Sequence, residues 1–169
     1  SKDANTAIEL IQARQADSQS AQFRAAFIDL DMPQMDGLTL GKLIRSNQNF
    51  NAIKLILMTP LAGSIDPQSL ADIGFDAYFP KPATASNLYD SLAVALDQNL
   101  ERIITSSINA DDNQEIEEPY SSLILHWLKD NPDNKRILLV EDNTINQVVA
   151  TTILEDMGFH CDAVGDGKE

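Results

Sequence analysis

Cysteine and histidine are nearly missing from this chain: Cys161, His126 and His160 are the only ones in 169 residues. A lone cysteine excludes an intrachain disulfide framework and a cysteine-built zinc site, and two histidines exclude a His-rich metal centre. This usage fits a reducing, cytoplasmic setting. Basic residues are also scarce. Twelve Lys and Arg stand against 26 Asp and Glu, a formal net charge of −14, which argues against a surface that binds nucleic acid through its phosphates. No apolar run approaches the roughly 20 residues that cross a bilayer, and the first residues lack the apolar core of a signal peptide. This stretch is therefore expected to touch no membrane, with any attachment of a parent protein lying elsewhere.

What is present is an alternation of strand-like and helix-like segments. Residues 4–16 carry Ala7, Ile8, Leu10 and Ile11 on one helical face. RAAFIDL (24–30) is apolar and then abruptly acidic, as expected of a buried parallel strand opening into a site. The turn MPQMDG follows, then a helix with Leu38, Leu40, Leu43 and Ile44, the polar break SNQNFN, and a strand over 53–58. A helix around 67–73, a short strand at 77–79 and a helix over 85–104 come next, the last with Leu88, Leu92, Val94, Ala95 and Leu96 as core contacts. Strands separated by helix-length segments imply parallel crossovers and an α/β fold with both sheet faces covered. Residues 105–134 hold the acidic run ADDNQEIEEP, which reads as solvated linker, and SSLILHWLK, which can form a short amphipathic helix. The pattern then restarts with the strand RILLV (136–140), a helix over 144–157 and the short segment HCDAV.

Two acidic clusters stand at the ends of apolar strands, Asp29 with Asp31 and Glu141 with Asp142. Carboxylates converging at the carboxyl edge of a parallel sheet repel one another unless a hard cation neutralises them, and oxygen ligands suit Mg²⁺ better than zinc. Two further strand ends supply the Thr59 hydroxyl and the Lys81 ammonium. Such a set can hold a phosphoryl group and stabilise its transfer. Plainer readings stand beside this one. Asp29 can close a turn, Glu141-Asp142-Asn143 can cap the following helix, and Thr59 can be a core hydroxyl. His126, in HWLK, reads as a linker residue, His160 as structural, and Met32 and Met35 as turn and packing residues.

FIDLDMPQMDG, KLILMT, AYFPKP and ILLVEDN, taken together, resemble the response-regulator receiver domain of two-component signalling. The resemblance implies a flavodoxin-like, doubly wound, five-stranded parallel sheet of order 2-1-3-4-5. It implies that Asp29 accepts a phosphoryl group from a phosphohistidine on a histidine kinase or histidine phosphotransfer domain. Mg²⁺ would be held by Asp29, Glu141, Asp142 and the main-chain carbonyl of Asp31. Lys81 would bind the phosphate, and Thr59 and Tyr78 would form the switch. Pro60 departs from the family, which usually has a small residue there, and removes an N–H beside the switch hydroxyl.

Residues 1–97 match the family without its first strand, first helix and second strand. Residues 135–169 match only those missing elements, and 98–134 form the acidic linker. The expected origin is a pair of tandem receivers in a hybrid sensor histidine kinase, making this stretch a phosphoryl-accepting module rather than an enzyme. The chain can also assemble one complete receiver in circularly permuted order, as a monomer, or by segment exchange in a swapped dimer. A haloacid-dehalogenase-like phosphatase is the rival, because Asp29-x-Asp31 has the spacing of its nucleophile and second acid. A non-phosphorylated interaction domain is the third reading.

Overall fold

Three of the five strands carry an unbroken run of four apolar residues, and they take the middle of the sheet. In the computed structural model, residues 4–17, 21–61, 66–96 and 135–165 are described. The strands are β1 (Phe23–Asp29), β2 (Lys54–Thr59), β3 (Ala77–Pro80), β4 (Arg136–Val140) and β5 (His160–Val164). They form one parallel sheet of order β3-β2-β1-β4-β5. Central β1, β2 and β4 are almost wholly buried, whereas the outer strands β3 and β5 mix buried and exposed residues. A strand covered on both faces must be apolar at successive positions, which is why FRAAFID, KLILMT and RILLV lack alternation.

RILLV lies against β1, with Ala26 beside Leu138 and Ile28 beside Val140. From the β5 edge, the strands follow the expected 2-1-3-4-5 order in permuted connectivity, within one chain. Helices cover both faces. The helices α1 (Ala4–Ala16), α2 (Gly37–Ser46) and α3 (Pro67–Ile73) pack through Ala7, Ile11, Leu40, Ile44 and Leu70 on Ala26, Ile28, Leu55, Leu57 and Leu138. On the other face, α4 (Ala85–Leu96) and α5 (Thr144–Asp156) bring Leu88, Leu92, Ala150 and Leu154 onto Ala25, Phe27, Ile56, Met58 and Leu139. Phe27 and Phe79 meet edge to face at 6.1 Å.

Local signals set the helix ends. Asp36 accepts from Thr39 N at 2.7 Å, Asp66 caps α3 with Pro67 behind it, Thr84 Oγ1 accepts from Asn87 N, and Asn143 caps α5. Gly74 ends α3 at φ 99°, a backbone shape that a side chain would disfavour.

Some details differ from the sequence reading. Leu43, which shares the helical spacing of Leu40 and Ile44, is 40% exposed, because those two already fill the narrow stripe facing β1. In α4, Ala93 rather than Val94 is buried. The polar break contains a single 3₁₀ turn, Gln48–Phe50, which buries Phe50. The expected linker at 98–134, its His126, the amphipathic SSLILHWLK and the 97–104 extension of α4 lie outside the described residues.

Candidate functional site

Four strand ends meet at one edge of the sheet. β1 ends in Asp29, β2 in Thr59, β3 runs into Lys81, and β4 runs into Glu141 and Asp142. The carboxyl edge of an open parallel sheet is where ligand crevices form. Asp29 is fully buried, Glu141 and Thr59 are nearly so, and Asp142 is half-buried. Gly37 allows this closeness: a Cβ there would lie 2.3 Å from the Asp29 carbonyl oxygen.

Lys81 is the hub. Its Nζ is 2.5 Å from Asp29 Oδ2 and 3.0 Å from Glu141 Oε2, with Glu141 Oε1 accepting at 3.3 Å. The main chain fixes its root, since Lys81 N donates to Thr59 O at 2.7 Å. Asp29 Oδ1 accepts from Asp31 N at 3.2 Å. Oδ2 is buried against the ammonium. Burial raises the Asp29 carboxyl from the usual 3.8 to about 6; Lys81 and the Asp31 N–H pull it down, while the charge of Glu141 pushes it up. For Lys81 burial alone would lower the ammonium, but its hydrogen bonds and charge contacts with Asp29 and Glu141 prevail and hold it above its ordinary value.

Asp29, Glu141 and Asp142 each offer one carboxylate oxygen, all within 4.8 Å of one another. Three acids against one lysine leave a formal excess of two negative charges. An all-oxygen donor set carrying more negative charge than one lysine balances fits a hard divalent cation. The Asp31 side chain is exposed, and that residue contributes its N–H to Asp29. Thr59 Oγ1 donates to Phe79 O at 3.3 Å. Tyr78, on β3 beside Leu57, is 47% exposed.

Sequence reasoning did not single out the groups that hold Glu141. Its Oε1 accepts from Asn143 N and from Asn146 Nδ2 at 3.1 Å, and its main-chain carbonyl accepts from Gln147 Nε2. Their signal was spacing alone, amides in the first turn of the helix after an acid pair. Met32 and Met35 pack against the core. Exposed His160 begins β5 and donates its N–H to Lys135 O. Cys161 is half-buried, and burial pushes its thiol up to about 11.

Known proteins share sequence with about half of this chain. The family model for the response regulator receiver domain matches residues 2–93. Stress response regulator protein 1 of Candida tropicalis is 32% identical over 84 residues, covering 50% of this chain and 31% of that protein. Chemotaxis protein CheY1 of Helicobacter pylori is 32% identical over 80 residues, 47% of this chain and 64% of the relative. Hybrid signal transduction histidine kinase A of Dictyostelium discoideum is 32% identical over 74 residues, 42% of this chain but 3% of the kinase. Among solved structures, the bacteriophytochrome response regulator RtBRR aligns with a TM-score of 0.47 at 14% identity, over 78% of this chain and 76% of that one. The chain thus spans less than two thirds of each of these curated relatives. The family match ends before Glu141 and Asp142, which join the site through the fold. More than half of the sequence nonetheless falls within a single family, and this chain belongs to the response-regulator receiver domains, the phosphoacceptor modules of two-component signalling.

Proposed function

We propose that Asp29 is the phosphoacceptor, taking a phosphoryl group from a phosphohistidine on a histidine kinase or histidine phosphotransfer domain. The observation that carries this reading is the buried Asp29 carboxylate, held at 2.5 Å by Lys81 and flanked by two further acids at a strand-end crevice. In the transfer an Asp29 oxygen forms a bond to phosphorus, the N–P bond breaks, and its electron pair returns to the imidazole. Lys81 offsets charge on the transferring oxygens, and the Asp31 N–H orients the carboxylate. Asp29, Glu141, Asp142 and the Asp31 carbonyl would hold Mg²⁺, which supplies charge neutralisation when bound. Thr59 and Tyr78 are the switch pair: the hydroxyl would turn to the phosphoryl group, and the half-exposed ring would follow it inward.

The donor's surface is the start of α5, where Ile145, Val148 and Val149 stand exposed a turn or so beyond the acid pair. A net charge of −14 favours protein partners over nucleic acid. The parent we infer is a cytoplasmic portion of a hybrid histidine kinase, in keeping with the similarity to the Dictyostelium kinase. The phosphatase reading is disfavoured by Asp31, whose side chain is exposed and outside the carboxylate cluster.

Incubation with acetyl phosphate and Mg²⁺ tests the proposal. A stable covalent adduct that Asp29→Asn abolishes is expected. Sustained turnover would point to a phosphatase, inertness to an interaction domain, and undiminished labelling of Asp29→Asn to a different acceptor.

A further inference from the structure

The main chain of β2 alternates between its two neighbours. Leu55 O accepts from Asp76 N at 2.8 Å on the β3 side, Met58 O from Leu30 N at 2.9 Å on the β1 side, and Thr59 O from Lys81 N at 2.7 Å on the β3 side again. In a parallel ladder the N–H and C=O of one residue face the same neighbour, and successive residues face opposite neighbours. Position 60 therefore falls on the β1 side, one step beyond the Met58 contact with Leu30, where β1 has just ended in Asp29. Any residue with an N–H would aim a main-chain donor across the mouth of the Asp29 site. The residue present is Pro60, which has no N–H and sets a ring methylene there instead.

The donors that remain near Asp29 are few. Lys81 is shared with Glu141, Asp31 N is engaged with Asp29 Oδ1, and the Thr59 hydroxyl with Phe79 O. We propose that Pro60 leaves the acceptor site one main-chain donor short, so that an anionic group carried on Asp29 is held more weakly than the rest of the site allows. The inference rests on the reading of Asp29 as acceptor. Its consequence is a site suited to passing a phosphoryl group on rather than to storing it.

Beryllium fluoride with Mg²⁺, titrated into the full chain by calorimetry, tests this directly. Pro60→Ala and Pro60→Gly each restore an N–H, and each should tighten binding about tenfold, the effect of one hydrogen bond to a charged group. Affinity for Mg²⁺ alone should stay at the wild-type value. Unchanged beryllium fluoride affinity in both variants would overturn the inference. A gain confined to Pro60→Gly would overturn it too, because chain flexibility rather than a donor would then be the cause. Asp29→Asn in either background should abolish binding; if it does not, the acceptor reading fails, whatever the Pro60 variants do.

Discussion

Asp29 is a fully buried carboxylate beside a second buried acid. Its carboxyl sits near 3.8 when unfolded and about 6 when folded, so the folded state binds its proton more tightly. Stability from this group is therefore full below about pH 4 and is lost as pH rises to about 6, by on the order of 3 kcal/mol. The informative quantity is the difference between wild type and Asp29→Asn. In the absence of metal, Asp29→Asn should gain on wild type as pH rises from 4 to 7. Urea denaturation at several pH values checks this, and a difference that does not change with pH would contradict the raised carboxyl. Added Mg²⁺ should shrink the difference by stabilising wild type. The electrostatic tension thus arises from the acid cluster itself, and it favours charge neutralisation by a ligand.

Helices and strands were legible in the sequence where burial is two-sided or capping is strong. FRAAFID, KLILMT and RILLV could be read because central parallel strands must be apolar throughout, and MPQMDG because Asp36 caps the helix that Gly37 begins. Edge strand β5 was only a short segment in the reading, since HCDAV mixes burial and exposure. Which leucine of α2 faces solvent was not legible, because Leu40, Leu43 and Ile44 all fit a helical period and only the strand beneath selects among them. The acids were visible as strand ends, yet the sharing of Lys81 between Asp29 and Glu141 joins residues 60 positions apart, and no local pattern encodes that. The junction of β1 and α2 gives the prediction that belongs at this scale. A Cβ at Gly37 would meet main-chain atoms of Asp29, which cannot rotate aside. Gly37→Ala should cost about 1–3 kcal/mol, as overpacking does, and should lower phosphoryl labelling by displacing Asp29. Chemical denaturation and acetyl phosphate labelling measure the two effects, and a variant normal in both would show that α2 can shift without disturbing the site.

At the scale of the whole molecule, the site is divided between distant parts of one chain. Asp29 and Lys81 come from the first ninety residues, Glu141 and Asp142 from residues 135–165, and the two parts meet along the β1–β4 ladder. Without β4, the fully buried Ala25–Ile28 stretch would be an open apolar edge, a template for pairing with another chain. An ion pair also crosses between the two parts, Arg14 of α1 holding Asp162 of β5, which Arg136 of β4 braces from within its own part. The same ladder could form between two copies exchanging residues 135–165, and the balance depends on effective concentration. A covalent connection keeps the partner segment at an effective concentration near the millimolar range, and closure entropy rises only slowly with length. The one-chain form should therefore prevail at ordinary protein concentrations. Co-expression of an Asp29→Asn chain with an Asp142→Ala chain distinguishes the two. In the one-chain form every site lacks either its acceptor or a metal ligand, so labelling stays at the sum of the separate variants. Exchange would combine Asp29 of one copy with Asp142 of the other and restore an intact site in mixed dimers, so recovered labelling in a species of twice 18.6 kDa would refute the one-chain assembly.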